Sequence, residues 1–363
     1  MILAAAVLRQ SAIDDGITML VWLALPGVLL MSWLVSAILV RRGSDWLLDI
    51  PVARSAHQRA TPRGGGIAIV VSVYSFLFIL VSQGYLGLFQ FSVLMCALPV
   101  AATGFADDIR SLSVKVRLPV QLLAAFVALA LLGPVPEPFF SGFIELPYVL
   151  MSALLMLALV WLLNLYNFMD GIDTLAAGQC LFVSGAAAFL LPDSQSALAW
   201  VCIGLFLSTL GFFLWNLPPA RLFMGDVGST FLGFFLGLLG LLSHYDGSLS
   251  VWVWVLLMGV FIADTTYTLL RRWLSGHSVT LGHSTHAYQH LARRLASHSR
   301  VAIVLTGVNL VWLFPLAWLA TVYPEYGVVL AFSGIVPLML AAAALGAGTD
   351  TGVTGVAETK DQA

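Results

Sequence analysis

The chain has 363 residues, 60% of them hydrophobic and 9% charged, with a mean hydropathy of +0.97; this is too little polar surface to cover a soluble globule of that length. A net charge of −2 excludes a polybasic nucleic-acid binder and a charge-based lipid anchor, so no nucleic-acid partner is expected. Cys96, Cys180 and Cys202 fall inside apolar runs without metal-ligand spacing, which removes a disulfide framework or a zinc knuckle.

The expected partner is a lipid bilayer. Crossing about 30 Å of hydrocarbon takes about 20 helical residues, and a closed barrel would show alternating polarity instead. The sequence therefore predicts an all-α, polytopic transmembrane helical bundle. Its apolar runs give about 11 spans, at roughly 18–40, 66–82, 88–105, 118–133, 147–165, 175–191, 196–215, 227–243, 250–270, 301–322 and 327–346. Met19 to Val40 reads as a retained first span, because no basic n-region with a small-residue cleavage site precedes it. Arg41, Arg42, Arg54, Arg59 and Arg63 fill the first loop, and Arg271, Arg272, Arg293, Arg294 and Arg300 the last long one, so both are expected in the cytoplasm. An odd number of spans then places the N-terminus in the periplasm and the C-terminus in the cytoplasm. All but Arg9 of the sixteen Lys and Arg residues fall inside, opposite Asp14, Asp15, Glu137, Glu145, Asp193, Asp246 and Glu325. Residues 1–346 read as a single integral membrane domain and 347–363 as a flexible cytoplasmic tail, with no internal repeat.

Four polar clusters stand at the ends of apolar runs, and alternation of the spans brings all four to one face. The first, Asp107-Asp108, closes the third span. Adjacent helical residues point about 100° apart, so the two carboxylates can share a site without doing the same job in it. A solvated terminus balanced by Arg110 is the plain alternative, but the dipole disfavours acids at a helix C-terminus. Lys115, Arg117 and Gln121 follow, placed to hold an anionic group opposite the acids.

In the second cluster Asn164, Asn167, Asp170 and Asp173 recur every third residue. On a continuous helix each step drifts about 60°, so they converge only where the helix breaks, and Gly171 is the natural place. Unpaired carboxylates near hydrocarbon cost several kcal/mol, which calls for a cation or a donor-rich substrate; a polar cap on the span is the alternative. The third, Phe223-Met-Gly-Asp226-Val-Gly-Ser229, puts an acid at the start of the eighth span, after Asn216-Leu-Pro-Pro-Ala-Arg. Asp226 is placed there for the helix dipole and for a metal, magnesium where phosphate is also present. Phe223 is placed to stack a planar base. A simple N-cap with a tight turn would need only one of these features.

In the fourth cluster His283, His286 and His290 lie three and four residues apart. Zinc is one reading, though neither Cys nor a catalytic Glu accompanies them. An amphipathic surface helix running into Arg293 and Arg294 is another, and contact with phosphate or sugar a third. Asp264 is either functional or paired inward. Finally, Arg54-Ser-Ala-His57 to Thr61-Pro-Arg63-Gly-Gly-Gly66 is no P-loop, since Gly-Lys-Ser/Thr is missing. A positive-inside loop explains its arginines better than its His57 and glycines.

The ordered set Arg54…His57…Pro62-Arg-Gly-Gly, Asp107-Asp108, Asn164-x-x-Asn167-x-x-Asp170-Gly-x-Asp173, Asn216-x-Pro-Pro-Ala-x-x-Phe223-Met-Gly-Asp226-x-Gly-Ser and His283-x-x-His286 resembles the polyprenyl-phosphate N-acetylaminosugar-1-phosphate transferases, over roughly residues 18–300. These include the phospho-N-acetylmuramoyl-pentapeptide translocase and the enzymes that initiate O-antigen synthesis. The resemblance implies a multi-pass protein of the bacterial inner membrane, a homodimer, with its site facing the cytoplasm. It also implies the reaction: undecaprenyl phosphate attacks the β-phosphate of a UDP-N-acetylhexosamine and releases UMP. Mg2+ is the implied cofactor, with Mn2+ as the alternative.

Carried over by motif, the resemblance implies that Asp226 is a metal ligand with Asp108 and Asp170, and that one of the catalytic pair Asp107 and Asp108, Asp107 ahead of Asp108, deprotonates or positions the lipid phosphate. Asn167 and Asp170 orient the diphosphate and the metal shell. Asp173, Asn216 and Phe223 form the uridine pocket; Asn164, Arg54 and His57 join the substrate contacts. His283 and His286, with Lys115 and Arg117, meet phosphate or sugar. Where the translocases carry consecutive histidines, His283-Ser-Thr-His286 resembles the O-antigen initiating branch and implies a 6-deoxy donor such as UDP-FucNAc or UDP-QuiNAc, for lipopolysaccharide rather than cell-wall muropeptide. The competing class is an ion-coupled secondary transporter, expected to show midplane acids on interrupted helices and repeated halves; the sequence shows neither.

Overall fold

A computed structural model of the chain describes residues 2–42 (side chains from 19), 47–49, 60–136, 139–140, 144–193, 196–277 and 283–349. In chain order its helices are α1 (Ile2–Arg42), α2 (Gly66–Ser82), α3 (Leu88–Met95), α4 (Ala97–Ile109), α5 (Val114–Leu132), α6 (Tyr148–Met169), α7 (Leu175–Leu190) and α8 (Ala197–Asn216). They continue with α9 (Gly225–Tyr245), α10 (Val251–Leu257), α11 (Gly259–Leu274), α12 (Ala287–Leu295), α13 (His298–Val308), α14 (Phe314–Val322) and α15 (Gly327–Leu345). One antiparallel ribbon joins β1 (Leu48–Asp49) to β2 (Thr61–Pro62), with Leu48 opposite Pro62. The chain is an all-α, multi-pass membrane bundle.

Every apolar run of the sequence forms a helical segment. Among the described residues, eight are long and apolar enough to cross a membrane: Met19–Arg42, α3 with α4, α5, α6, α8, α9, the run His298–Val322 and the run Pro324–Leu345. Together α10 and α11 are as apolar and long, but they are bent by 75° at Met258, the shape of a broken span or a re-entrant loop. The remaining two, α2 and α7, have 17 and 16 residues, hence about 24 to 26 Å of rise. They are shorter than a full crossing.

Helix α9 is the central post. Every residue from Val227 to Ser243 is buried, as expected of a helix apolar on all sides. Without a hydrophobic drive between helices in lipid, close packing of small residues must hold such a post. Its glycines serve this purpose: a Cβ on Gly66 of α2 would lie 2.1 Å from the Cα of Gly228, so the two backbones touch. On the periphery, α1, α5, α6, α14 and α15 expose Trp22, Phe126, Leu157, Trp318 and Phe332. In water that apolar surface would be a large liability; against acyl chains it is the expected exterior.

The bend at Met258 is a feature the sequence did not reveal, and it opens the helical hydrogen-bond ladder inside a membrane protein. Freed backbone groups there need partners from neighbouring helices. Gln179 of α7 supplies one, donating to the Leu257 carbonyl at 2.8 Å, while its own amide oxygen accepts from Asn309 at 2.6 Å. Asn309 begins a π-helical turn, Asn309–Leu313, between α13 and α14. The break is thus closed by protein rather than left open to an ion, unlike the transporter pattern. Past the bend, α11 carries Asp264, which meets the backbone at the start of α12.

Candidate active site

A cleft of about 320 Å³ opens where α4, α6 and α8 finish and α9 and α13 begin. Asp108 and Asn167 reach it from α4 and α6, Asp170 to Asp173 from the loop that follows α6, and Asn216, Phe223, Gly225 and Asp226 from around the start of α9. His283 and His298 complete its wall. The acids stand at helix ends and not in the middle of spans.

Asp108 resolves the puzzle of an acid at the wrong end of a helix. Its Oδ1 accepts the backbone N–H of Asp226 and its Oδ2 that of Val227, both at 3.0 Å. The carboxylate that its own α4 disfavours therefore caps the N-terminus of α9, where the dipole favours it. Gly225 has φ +76, and a Cβ there would fall 2.5 Å from Asp108 Oδ2. Arg63 closes the arrangement, Nη2 donating to the Asp108 carbonyl at 2.5 Å. With both oxygens held, Asp108 has only its remaining lone pairs for any metal; its main work here is to place Asp226.

Asp107 points elsewhere. It accepts from the Leu112 N–H and from Arg117 Nη1 at 2.7 Å, and the same Nη1 stands 3.3 Å from Asp226 Oδ2. On the other side of Asp226, Oδ1 accepts from Asn167 Nδ2 at 3.0 Å, an amide that also donates to Ser229 Oγ at 2.9 Å. Three motifs from distant parts of the chain thus meet on one carboxylate.

The break after the fifth apolar run comes at Asp170, one residue before the glycine. Helix α6 ends at Met169 and Asp170 leaves helical geometry at φ −86, ψ 47. Burial, and then the charges of Asp226, Asp108 and Asp173, hold the Asp170 carboxyl well above the ordinary carboxylate range. Gly171 is small for a different reason: a Cβ on it would lie 2.1 Å from the Tyr288 hydroxyl, which donates to the Phe168 carbonyl. Asn164 is turned away from the cleft, donating to Val160 O at 2.7 Å and standing 3.4 Å from Gln121 Oε1. On the continuous helix each step of three residues turns the side chain by about 60°, so Asn164 is already rotated off the direction of Asn167 toward α5, where Gln121 meets it.

On the far wall, Asn216 works as a staple, accepting from Thr174 N–H at 2.7 Å and donating to Leu222 O at 3.0 Å. Asp173 Oδ2 accepts from Ala220 N–H at 3.2 Å and lies 3.6 Å from His298 Nδ1. Phe223 is tied by its backbone to Pro62 and Gly65, which brings the glycine run against the site. His283 lines the cleft, but His286 is 2% exposed and lies beneath it. Lys115 is exposed at the start of α5 and does not line the cleft. Arg54 and His57 lie outside the described residues.

Asp49, Gln289 and His298 line the cleft without having been singled out, and Arg63, quoted in the Pro62-Arg-Gly-Gly motif without a role of its own, lines it too. Arg63 adjoins the glycine run and had that signal; His298, the first residue of α13, belongs to no motif. Among the described residues no group of three or more His, Cys, Asp or Glu side chains forms a complete metal cage. Magnesium does not need one, since it keeps waters and uses one or two carboxylates with substrate phosphates. Hard oxygen donors at Asp226 and Asp170, the latter an acid pushed up by burial and then by its like-charged neighbours, fit such an ion.

The family model for Glycosyl transferase family 4 matches residues 90–244. A probable undecaprenyl-phosphate N-acetylglucosaminyl 1-phosphate transferase of Bacillus subtilis is 30% identical over 284 residues, 77% of this chain and 78% of that protein. The chain belongs to glycosyl transferase family 4. An undecaprenyl-phosphate alpha-N-acetylglucosaminyl 1-phosphate transferase of Yersinia pestis is 31% identical, covering 71% of this chain and 73% of its own length. A phospho-N-acetylmuramoyl-pentapeptide-transferase of Chlamydia pneumoniae is 29% identical over 58% of this chain and 66% of that protein. The family match contains both acid clusters, the Asn216 staple and the start of α9; the histidine loop and His298 lie beyond it.

Proposed function

We propose that this protein transfers a sugar 1-phosphate from a UDP-N-acetylhexosamine to undecaprenyl phosphate on the cytoplasmic face of a bacterial inner membrane, releasing UMP. The observation that carries the reading is the single carboxylate of Asp226 held between Arg117, shared with Asp107, and Asn167. A lipid phosphate oxygen attacks the β-phosphorus, the bond from that phosphorus to the α–β bridging oxygen breaks, and UMP leaves with that oxygen. One phosphoanhydride replaces another, so positioning and charge stabilisation are the work required. Both reactants are anions.

Asp226 and Asp170 would hold Mg2+, with Mn2+ able to take the same oxygen ligands, and a bound ion would supply charge neutralisation at the diphosphate. Arg117 draws the lipid phosphate toward the acids, and Asp107, fixed by Arg117 and the Leu112 amide, orients it. Asn167 sets the rotamer of Asp226. Phe223 offers a ring for the uracil to stack on, beside Asp173. His283, at the opposite wall, meets the sugar or β-phosphate. The His283-Ser-Thr-His286 form supports a 6-deoxy N-acetylhexosamine such as FucNAc or QuiNAc, and a first step in O-antigen or other envelope polysaccharide synthesis.

Full-length protein in detergent, given undecaprenyl phosphate, Mg2+ and in turn UDP-GlcNAc, UDP-FucNAc and UDP-QuiNAc, is expected to release UMP with at least one donor. Chelation by EDTA should lower release by at least about 100-fold, with recovery on added Mg2+. Release with no donor of the panel, or full turnover in EDTA, would overturn the respective part of the proposal.

A further inference from the structure

Asp264 lies six residues into α11, past the bend, and is buried. Its Oδ1 accepts from the Ala287 N–H at 2.9 Å, from Thr268 Oγ1 at 3.1 Å and from His286 Nδ1 at 3.2 Å; its Oδ2 accepts from the Tyr288 N–H at 2.8 Å. Capping α12 would need only the two backbone bonds. The third contact fixes an imidazole, and that ring is the middle of a stack. His283 lies 5.0 Å from His286 at 27° between planes, Tyr288 5.8 Å at 26°, and Phe168 6.1 Å at 27°.

The outer ring of the stack is the one that faces the cleft. His283 Nδ1 sits 3.1 Å from Thr285 Oγ1, which fixes the rotation of the ring at the cleft wall. Thr285 is itself anchored: its carbonyl accepts from Gly348 N–H at 2.8 Å, in a turn that Arg271 holds by the Ala347 carbonyl at 3.0 Å. We propose that Asp264 is a positioning residue that orients His286 and, through the stacked rings, sets His283 against the substrate. The proposal rests on the transferase reading for its kinetics and on geometry alone for its chemistry. It assigns His286 a supporting place, since the ring is buried and the cleft wall is His283.

The test compares Asp264→Asn in the wild-type and His283→Ala backgrounds. Asn keeps one acceptor but sets an NH2 group against either the Tyr288 N–H or the Ala287 N–H with His286 Nδ1, so α12 and the ring can no longer be held together and the stack loosens. Asp264→Asn is expected to lower kcat about 30-fold or more, with donor KM changed less than about threefold. In His283→Ala the same change should cost less than about threefold, because a residue acting through His283 has nothing left to position. An equal loss in both backgrounds, or no loss in the wild type, overturns the proposal. A second readout does not depend on activity: diethylpyrocarbonate labelling of full-length protein, mapped by mass spectrometry. His286 should be protected in the wild type and labelled at least about tenfold faster in Asp264→Asn, with His298 unchanged; unchanged protection of His286 overturns the proposal. A wild-type protein that releases no UMP counts against the transferase reading, and the labelling pattern then decides the positioning role by itself.

Discussion

Asp226→Asn should lower UMP release by at least about 1,000-fold while leaving the melting temperature in detergent close to that of the wild type. Asn is isosteric and retains an oxygen for Asn167, so the local hydrogen bond at 3.0 Å has a replacement. What disappears is the charge. Arg117 loses one of its two carboxylates, and the divalent ion proposed to bind there would lose a charged ligand. Asp226 lies in the first turn of α9, capped by another helix's carboxylate and flanked by an amide and a guanidinium, so little freedom remains for a neighbour to take over. Turnover near the wild-type rate would remove Asp226 from the chemistry.

The two adjacent acids should fail in opposite ways. Asp108→Ala strips the acceptor from two backbone amides at the start of α9, and each buried orphan costs about 1–3 kcal/mol. A loss of about 2–5 kcal/mol is expected, read as a marked fall in melting temperature, with activity lost because Asp226 moves. Asp107→Ala removes a half-buried carboxylate whose partners, Leu112 N–H and Arg117, lie nearer water. It should leave the melting temperature nearly unchanged and reduce turnover by about 100-fold. The pair is checked by thermal unfolding alongside UMP release; equal destabilisation by the two variants would contradict the division of labour.

That division was legible in part. The 100° between neighbours on a helix announced that Asp107 and Asp108 differ, but not which of them serves a second helix, because the amides that Asp108 caps are more than a hundred residues away. The convergence of the 107–108, 164–173 and 223–229 segments followed from alternating spans, since every crossing delivers its end to one of two faces. Finer points did not follow. Asn164 carried the same spacing as its neighbours and still faces Val160 and Gln121, because the helix continues to Met169. The 75° bend at Met258 lies between Leu-Leu and Gly-Val with no proline, and its satisfying partner, Gln179, sits in a different apolar run. His286 looked equivalent to His283 by composition, yet Asp264 draws it under the surface.

These arrangements converge on one bond. If the cleft transfers a sugar 1-phosphate, the donor must break between its α- and β-phosphorus atoms; a transfer of the sugar alone would leave the diphosphate whole. A donor UDP-sugar labelled with 32P at the β position and 14C in the sugar, incubated with the protein, Mg2+ and undecaprenyl phosphate, distinguishes the two. The expected result is both labels in the organic phase in equal molar amount, with unlabelled UMP in the water. Carbon label in the lipid with the phosphorus retained in water-soluble UDP would contradict the account.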